Sequence, residues 1–333
     1  MLLVTAITVA FAALPSNYVH QQAQSEEQQG RARLRERNVE VMGTELEVKV
    51  IGHDDVQLEQ ALDAAIAEIR RVEDVMTDWR PSPVTKLNDR AGEGPIEVER
   101  ELAVLLQRSL EIARLTGGAF DITYAGAGKL WDFKSQRIPS AGVIEAALKN
   151  VGFERVVVDL EANTVRLPKG MRLGLGGIAK GYGVDRAMAV LLEHGIQHAL
   201  VSAGGDLKVL GHKFDKLWEI AIRHPRDRER VLALLPVSNT CVVTSGDYER
   251  FFVHEGRRYH HILDPRTGSP AQGCMSATVI AQDAAFADAL ATAICVLGPE
   301  QGLELVEGLP ATEALVVGLD GKTRASSGLQ CDK

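Results

Sequence analysis

The sequence predicts an α+β fold in which packed helices cover mixed, largely antiparallel sheets. Three observations predict it. The first half of the chain carries apolar residues at helical spacing, the second half is a series of short apolar runs between turn residues, and no regular βαβ alternation links them. With 333 residues, 45% hydrophobic and 25% charged, the chain is long enough for a large core and has an ordinary globular make-up. Its net charge of −8 argues against a nucleic-acid surface, which needs concentrated Lys and Arg.

Taken in order, residues 1–20 open with an apolar run, Met1 to Leu14, that Pro15 ends. The run is too short to span a bilayer and is expected to be a secretion signal. Residues 21–37, rich in Gln, Glu and Arg, read as a polar linker, and 38–330 as one domain. Val39–Ile51 alternates like a strand and is broken at Met42-Gly43-Thr44. Asp54 and Asp55 offer caps for a helix with Leu58, Leu62, Ile66, Ile69, Val72 and Met76 on one face. A second helix is expected at about 98–116, stopped by Gly117-Gly118. Val156–Leu167 reads as a hairpin turning at Glu161-Ala162-Asn163, and Lys180–His194 as an amphipathic helix.

Ala199–Leu210, Trp218–Ile222, Val231–Val237 and Cys241–Thr244 then read as strands. Met275–Ala281 is expected to be a strand feeding a helix at about 284–297, with a last hairpin turning at Asp320-Gly321. Cys241, Cys274, Cys295 and Cys331 lack CxxC spacing, which argues against a zinc site. Cys295 reads as core; pairing among the other three stays open.

Five segments carry more glycine, acid or histidine than packing requires. Gly174-Leu175-Gly176-Gly177-Ile178-Ala179-Lys180-Gly181-Tyr182 precedes a helix; its glycines allow close backbone approach, the helix N-terminus suits an anion, and Lys180 adds a positive charge. The alternative is a tight turn packing a helix on a sheet. Ala203-Gly204-Gly205-Asp206 reads more simply as a bulge, with Asp206 bonding its own backbone. Asp288 and Thr292, four apart on a helix, present two hard oxygen donors on one face, suited to Mg²⁺, although a solvated face is the commoner explanation of such a pair. Tyr259-His260-His261 runs into a turn at Asp264-Pro265-Arg266-Thr267-Gly268, and one histidine is a candidate base. Gly118-Ala119-Phe120-Asp121-Ile122-Thr123, with Trp131 after it, offers apolar surface for a flat ring, although core aromatic packing is the commoner use of such residues.

In chain order, Met42-Gly43-Thr44, Gly118 to Thr123 with Trp131, Gly176 to Asp185, Ala203 to Asp206, Thr244 to Arg250, His261 to Gly268 and Asp288 to Thr292 resemble the ApbE-like family, the FAD:protein FMN transferases. The resemblance spans roughly residues 38–328. It implies a T-fold-like, two-lobed architecture and an Mg²⁺-dependent transfer of FMN from FAD to a Thr or Ser hydroxyl of an exported redox protein, with AMP released. It implies a location in the periplasm or on the outer face of the inner membrane. It also implies metal ligation by Gly177, Asp288 and Thr292, and FAD contacts at Met42, Trp79, Ala119, Phe120, Asp121, Lys180, His261 and Leu263. The catalytic set is then His261, Asp288 and Lys180. Many relatives carry an acid that contacts FAD where this chain has Gly174. FAD storage without transfer and FAD hydrolysis to FMN and AMP are the rival activities.

Overall fold

A computed structural model describes residues 31–329. The expected signal segment and Cys331 lie outside them. The chain begins with β1 (Arg33–Val41), paired in antiparallel register with β2 (Thr44–Gly52) across a turn in which Met42 and Gly43 both take positive φ, 53° and 70°. Two left-handed residues suit the twist of a tight hairpin. The strand starts inside the stretch read as linker. Arg33, Arg35 and Arg37 are not linker residues: they sit on β1 and pair with Asp55, Glu59 and Asp63 of the next helix.

That helix, α1 (Asp55–Met76), is capped by Asp54, whose carboxylate accepts from the Val56 and Gln57 amides. It buries the expected stripe of Leu58, Leu62, Ile66, Ile69, Val72 and Met76. Short α2 (Pro83–Asp89) follows, then β3 (Pro95–Glu97), α3 (Arg100–Leu115), a single turn α4 (Ala125–Gly128) and α5 (Ala141–Leu148). The expected hairpin is β4 (Val157–Asp159) and β5 (Thr164–Arg166), joined by β3 into a three-stranded sheet. Helix α6 spans Ala179–Glu193.

The strand-rich half begins with β6 (His198–Ala203) and β7 (Asp206–Leu210), then the hairpin β8 (Trp218–His224) and β9 (Asp227–Val237). β10 (Thr240–Gly246), the small hairpins β11 (Phe251–His254) with β12 (Arg257–His260) and β13 (Leu263–Asp264) with β14 (Ser269–Pro270), and β15 (Cys274–Ala281) follow. Helices α7 (Ala284–Leu297) and α8 (Pro299–Glu307) and strands β16 (Glu313–Gly318) and β17 (Thr323–Ala325) complete the chain. The main sheet has eight antiparallel strands in the order β1-β2-β6-β7-β10-β15-β16-β17.

Helices α1, α6 and α7 cover one face of that sheet. Their small buried residues, Ala61, Ala65, Ala187, Ala287 and Ala291 among them, let helix and sheet backbones approach closely. The opposite face carries a second cluster, Ile51, Leu200, Val209 and Val242 under Trp218 and Ile220 of the β8–β9 hairpin. Ile96 and Val165 of the small sheet belong to the same core as α1 and α7, so the two lobes share one hydrophobic interior. Among the described residues no helix is long and apolar enough to cross a membrane.

Candidate active site

The site lies where the turn Met42–Thr44, the turn Ala203–Asp206, the end of β10 and the N-termini of α6 and α7 meet. The Gly204 amide donates to the Glu45 carbonyl at 3.0 Å, which joins the first two turns. The glycine segment is held at both sides: Leu173 exchanges two hydrogen bonds with the Asn88 amide, at 2.7 and 2.9 Å, and the Gly174 amide donates to the Ile122 carbonyl at 2.8 Å. From there the backbone enters α6.

Two helices then meet start to start. The Gly181 amide of α6 donates to Asp288 Oδ2 of α7 at 3.2 Å, and the Ala285 amide of α7 donates to Asp185 Oδ2 of α6 at 2.9 Å. Each helix satisfies an orphan N–H of the other. Gly181 is required by this approach rather than by its dihedral angles: a Cβ there would stand 2.8 Å from the Ala285 amide nitrogen.

Asp288 and Thr292 both face the glycine segment. A Cβ at Gly177 would lie 3.2 Å from Thr292 Oγ1 and 3.4 Å from the Phe120 ring, so a glycine leaves that hydroxyl open to the loop. Ser245 Oγ, at the end of β10, lies 3.4 Å from Thr292 Oγ1. Asp288 is 1% exposed, which corrects the reading of a solvated helix face. Its Oδ1 lies 3.6 Å from Lys180 Nζ, and the same ammonium forms an ion pair with Asp206. Burial opposes the Lys180 charge, but Asp206 and Asp288 more than offset it and raise its pKa above the ordinary lysine value. Burial pushes Asp206 up, against the pull of Lys180.

Among the described residues no group of three or more His, Cys, Asp or Glu is arranged to hold a metal. The oxygens that do converge are one carboxylate, one hydroxyl and the backbone of a glycine that keeps them clear. That set is too poor in charge for a transition-metal cage and fits a hard cation that shares its coordination with water and phosphate oxygens.

His261 borders this cluster. Its backbone amide donates to the Arg250 carbonyl at 3.0 Å, and Nδ1 is buried without a hydrogen-bond partner. Burial, then the charges of Arg250, His260 and Lys180, push its pKa down to about 4, so the ring is neutral at physiological pH. Its neighbour His260 is turned inward and bonds the Ala271 carbonyl through Nε2 at 2.8 Å.

The remaining expected residues divide. Phe120 reaches the Gly177 backbone, and Leu263 packs beside Gly128 at the edge of the Tyr124 ring. Ala119 is buried beneath Phe120 in sequence, and Met42 directs its sulfur toward Gly183 of α6, within the core. Trp79 is 64% exposed on the loop after α1. Asp121 is 5% exposed. Its side chain is committed to the loop: Oδ1 accepts from the Thr123 amide and hydroxyl, both at 2.7 Å, and Oδ2 from the Phe153 amide at 3.1 Å. Trp131 packs as a core aromatic. It is buried, stacks on Phe133, and donates to the Gly268 carbonyl at 2.9 Å.

Sequence reasoning read Asp206 as bonding its own backbone, which the structure corrects to an ion pair with Lys180, and gave Asp185, Tyr124 and Asp78 no role of their own. Asp206 had a signal in its two preceding glycines, but only the fold brings it to Lys180. Tyr124 had none; its hydroxyl lies 3.6 Å from where a Cβ of Gly176 would stand. At Gly174 a Cβ would lie 2.9 Å from Ala125 Cβ and 3.5 Å from Asp78 Oδ2. The space beside Gly174 therefore already holds a carboxylate, supplied by the loop after α1.

Comparison with known proteins places this geometry among relatives. The model of the ApbE family matches residues 42–316. An FAD:protein FMN transferase of Treponema pallidum (strain Nichols) is 36% identical over 323 residues, covering 90% of this chain and 89% of that protein. The crystal structure of the ApbE protein of Thermotoga maritima superposes with a TM-score of 0.82 at 36% identity, over 89% of this chain and 98% of the other. The apo flavinyl transferase ApbE of Pseudomonas stutzeri gives 0.80 at 30% identity, over 89% and 95%.

Proposed function

Since the chain belongs to the ApbE family, we infer that it is an FAD:protein FMN transferase, and that it works with Mg²⁺, attaches FMN to a Thr or Ser hydroxyl of a protein acceptor and releases AMP. One observation carries this reading: Thr292 faces the Gly177 backbone, and Asp288, one helical turn before it, holds the Gly181 amide of the same glycine segment with the Lys180 ammonium beside it. Phosphoryl transfer needs little covalent help from a protein; it needs positioning and positive charge where the phosphates sit.

Asp288, Thr292 and the Gly177 backbone would hold the cation. When bound, Mg²⁺ supplies Lewis-acid polarisation of the pyrophosphate and neutralises charge on the departing phosphate. Lys180, kept protonated by its two carboxylates, offers a second positive charge to the same phosphates. His261, neutral in its setting, is the candidate base for the proton of the acceptor hydroxyl. Such help is worth roughly 10²–10⁴-fold. Phe120 and Leu263 give apolar surface next to the loop, and exposed Trp79 offers a ring face at its rim.

The acceptor is an exported redox protein in this reading, and the apolar run Met1 to Leu14 supports export of the transferase itself. The test is incubation of the protein with FAD, Mg²⁺ and a Thr- or Ser-bearing acceptor peptide, followed by intact mass and nucleotide analysis. The acceptor gains one FMN phosphoryl group and AMP appears in equal amount. AMP and FMN without any gain in acceptor mass would make the chain a hydrolase, and bound FAD with no AMP would make it a storage protein.

A further inference from the structure

Lys180 stands between two buried carboxylates, and its contacts with them are unequal. It is hydrogen-bonded to Asp206, which is 1% exposed, while Asp288 Oδ1 is 3.6 Å away. Asp206 is anchored at the first residue of β7, where the Ala203–Asp206 pair closes the β6–β7 turn. Asp288 is anchored by the Gly181 amide. The ammonium is the mobile member of the trio, on a flexible stem. It competes with any cation for the same Asp288 oxygen, since two positive charges on one carboxylate repel each other at such short range.

We propose that Asp206 is a positioning residue that draws the Lys180 ammonium away from Asp288 and so opens that carboxylate to a divalent cation. The inference rests on the cation-dependent reading of the site above. The charge pattern agrees with it. With Lys180 on Asp206, one acid–base pair is closed and the Asp288 Oδ1 atom is left at 3.6 Å from the ammonium. Without Asp206, Asp288 is the one carboxylate left for the ammonium, and lysine and cation become rivals.

The experiment measures Mg²⁺ affinity of the intact protein by titration calorimetry, with no FAD and no acceptor present, and thermal unfolding of every variant alongside. Asp206→Asn weakens Mg²⁺ binding roughly tenfold, the scale of coupling between residues in one ion-pair network. Lys180→Met, which removes the competing charge, strengthens it. In the Lys180→Met background the Asp206→Asn penalty falls to less than about threefold, because no ammonium remains to be drawn aside. Equal penalties in both backgrounds would overturn the proposal, since Asp206 would then act only through its own charge. Should Asp206→Asn not fold, Lys180→Met alone decides: unchanged or weaker Mg²⁺ binding refutes the competition. A wild-type protein that binds no Mg²⁺ sinks this inference together with the cation reading, whereas normal wild-type binding with uncoupled variants sinks this inference alone.

Discussion

Asp185 and Asp288 cap each other's helices: Asp185 of α6 accepts from the Ala285 amide at 2.9 Å, and Asp288 of α7 accepts from the Gly181 amide at 3.2 Å. The exchange fixes the two helix starts against one another. It sets where Lys180, one residue before Gly181, and Thr292, one turn after Asp288, project. The candidate site is thus a consequence of one helix–helix junction, and the junction is the first place to test it.

Gly181→Ala inserts a methyl 2.8 Å from the Ala285 amide nitrogen, and the helices must part. Overpacking of this kind costs about 1–3 kcal/mol. Thermal unfolding of the variant moves to lower temperature, and FMN transfer falls by more than the stability loss explains, because Asp288 loses its bond to the moved amide. A variant as active and as stable as wild type would show that the junction is loose.

Asp288→Asn keeps the size of the side chain and removes its charge. Transfer to an acceptor peptide drops by about 10² or more, the scale for losing one electrostatic group aimed at a transition state. Chelation with EDTA has the same effect on the wild type, and added Mg²⁺ restores the wild type but not the variant. Because Asp288 is buried and capped onto Gly181, Asp288→Ala is the poorer probe: it removes a cap as well as a ligand.

His261 makes stability depend on pH. Its folded pKa of about 4 lies below the ordinary histidine value, 6.5, so the unfolded chain binds the proton first. Stability from this group is whole above pH ~6.5 and declines as pH falls toward 4. Urea unfolding of wild type and His261→Gln at pH 7.5 and pH 5 measures it. The wild type loses more stability than the variant over that interval; parallel losses would mean that the ring is not buried neutral.

Trp131→Phe leaves the Gly268 carbonyl without its 2.9 Å donor while keeping a ring against Phe133 and Tyr259. The expected cost is about 1–2 kcal/mol in urea unfolding. Because the Trp131 indole is buried and its N–H is spent on the Gly268 carbonyl, KM for FAD changes by less than about threefold, the size of an indirect, distant effect. A large rise in KM with unchanged stability would return Trp131 to the ligand.

Sequence patterns carried the elements with a strong period. The stripe from Leu58 to Met76, the Asp54 cap, the helix from Ala284 to Leu297 and the turns at Met42-Gly43 and Asp320-Gly321 all occur where spacing and turn chemistry put them. The basic residues 33–37 misled, because a polar edge strand paired with acids of α1 has the composition of a linker. Helices α2, α5 and α8 were too short for periodicity to register.

The sequence by itself determined the fold class, the family resemblance and the pairing of Asp288 with Thr292, because a separation of four on a helix is a local geometric fact. Tertiary structure alone decided which side chains share a site. Asp206 is 26 residues from Lys180 and Asp288 is 107 from Gly181, and no local rule relates residues that far apart. Their meeting follows from strand order in the sheet and from two helix N-termini packed closely enough that one position tolerates only glycine. Burial decided the rest: it made Asp121 and Trp131 structural, left His261 neutral and set Lys180 between two acids, and burial is a property of the packed chain, not of any segment of it.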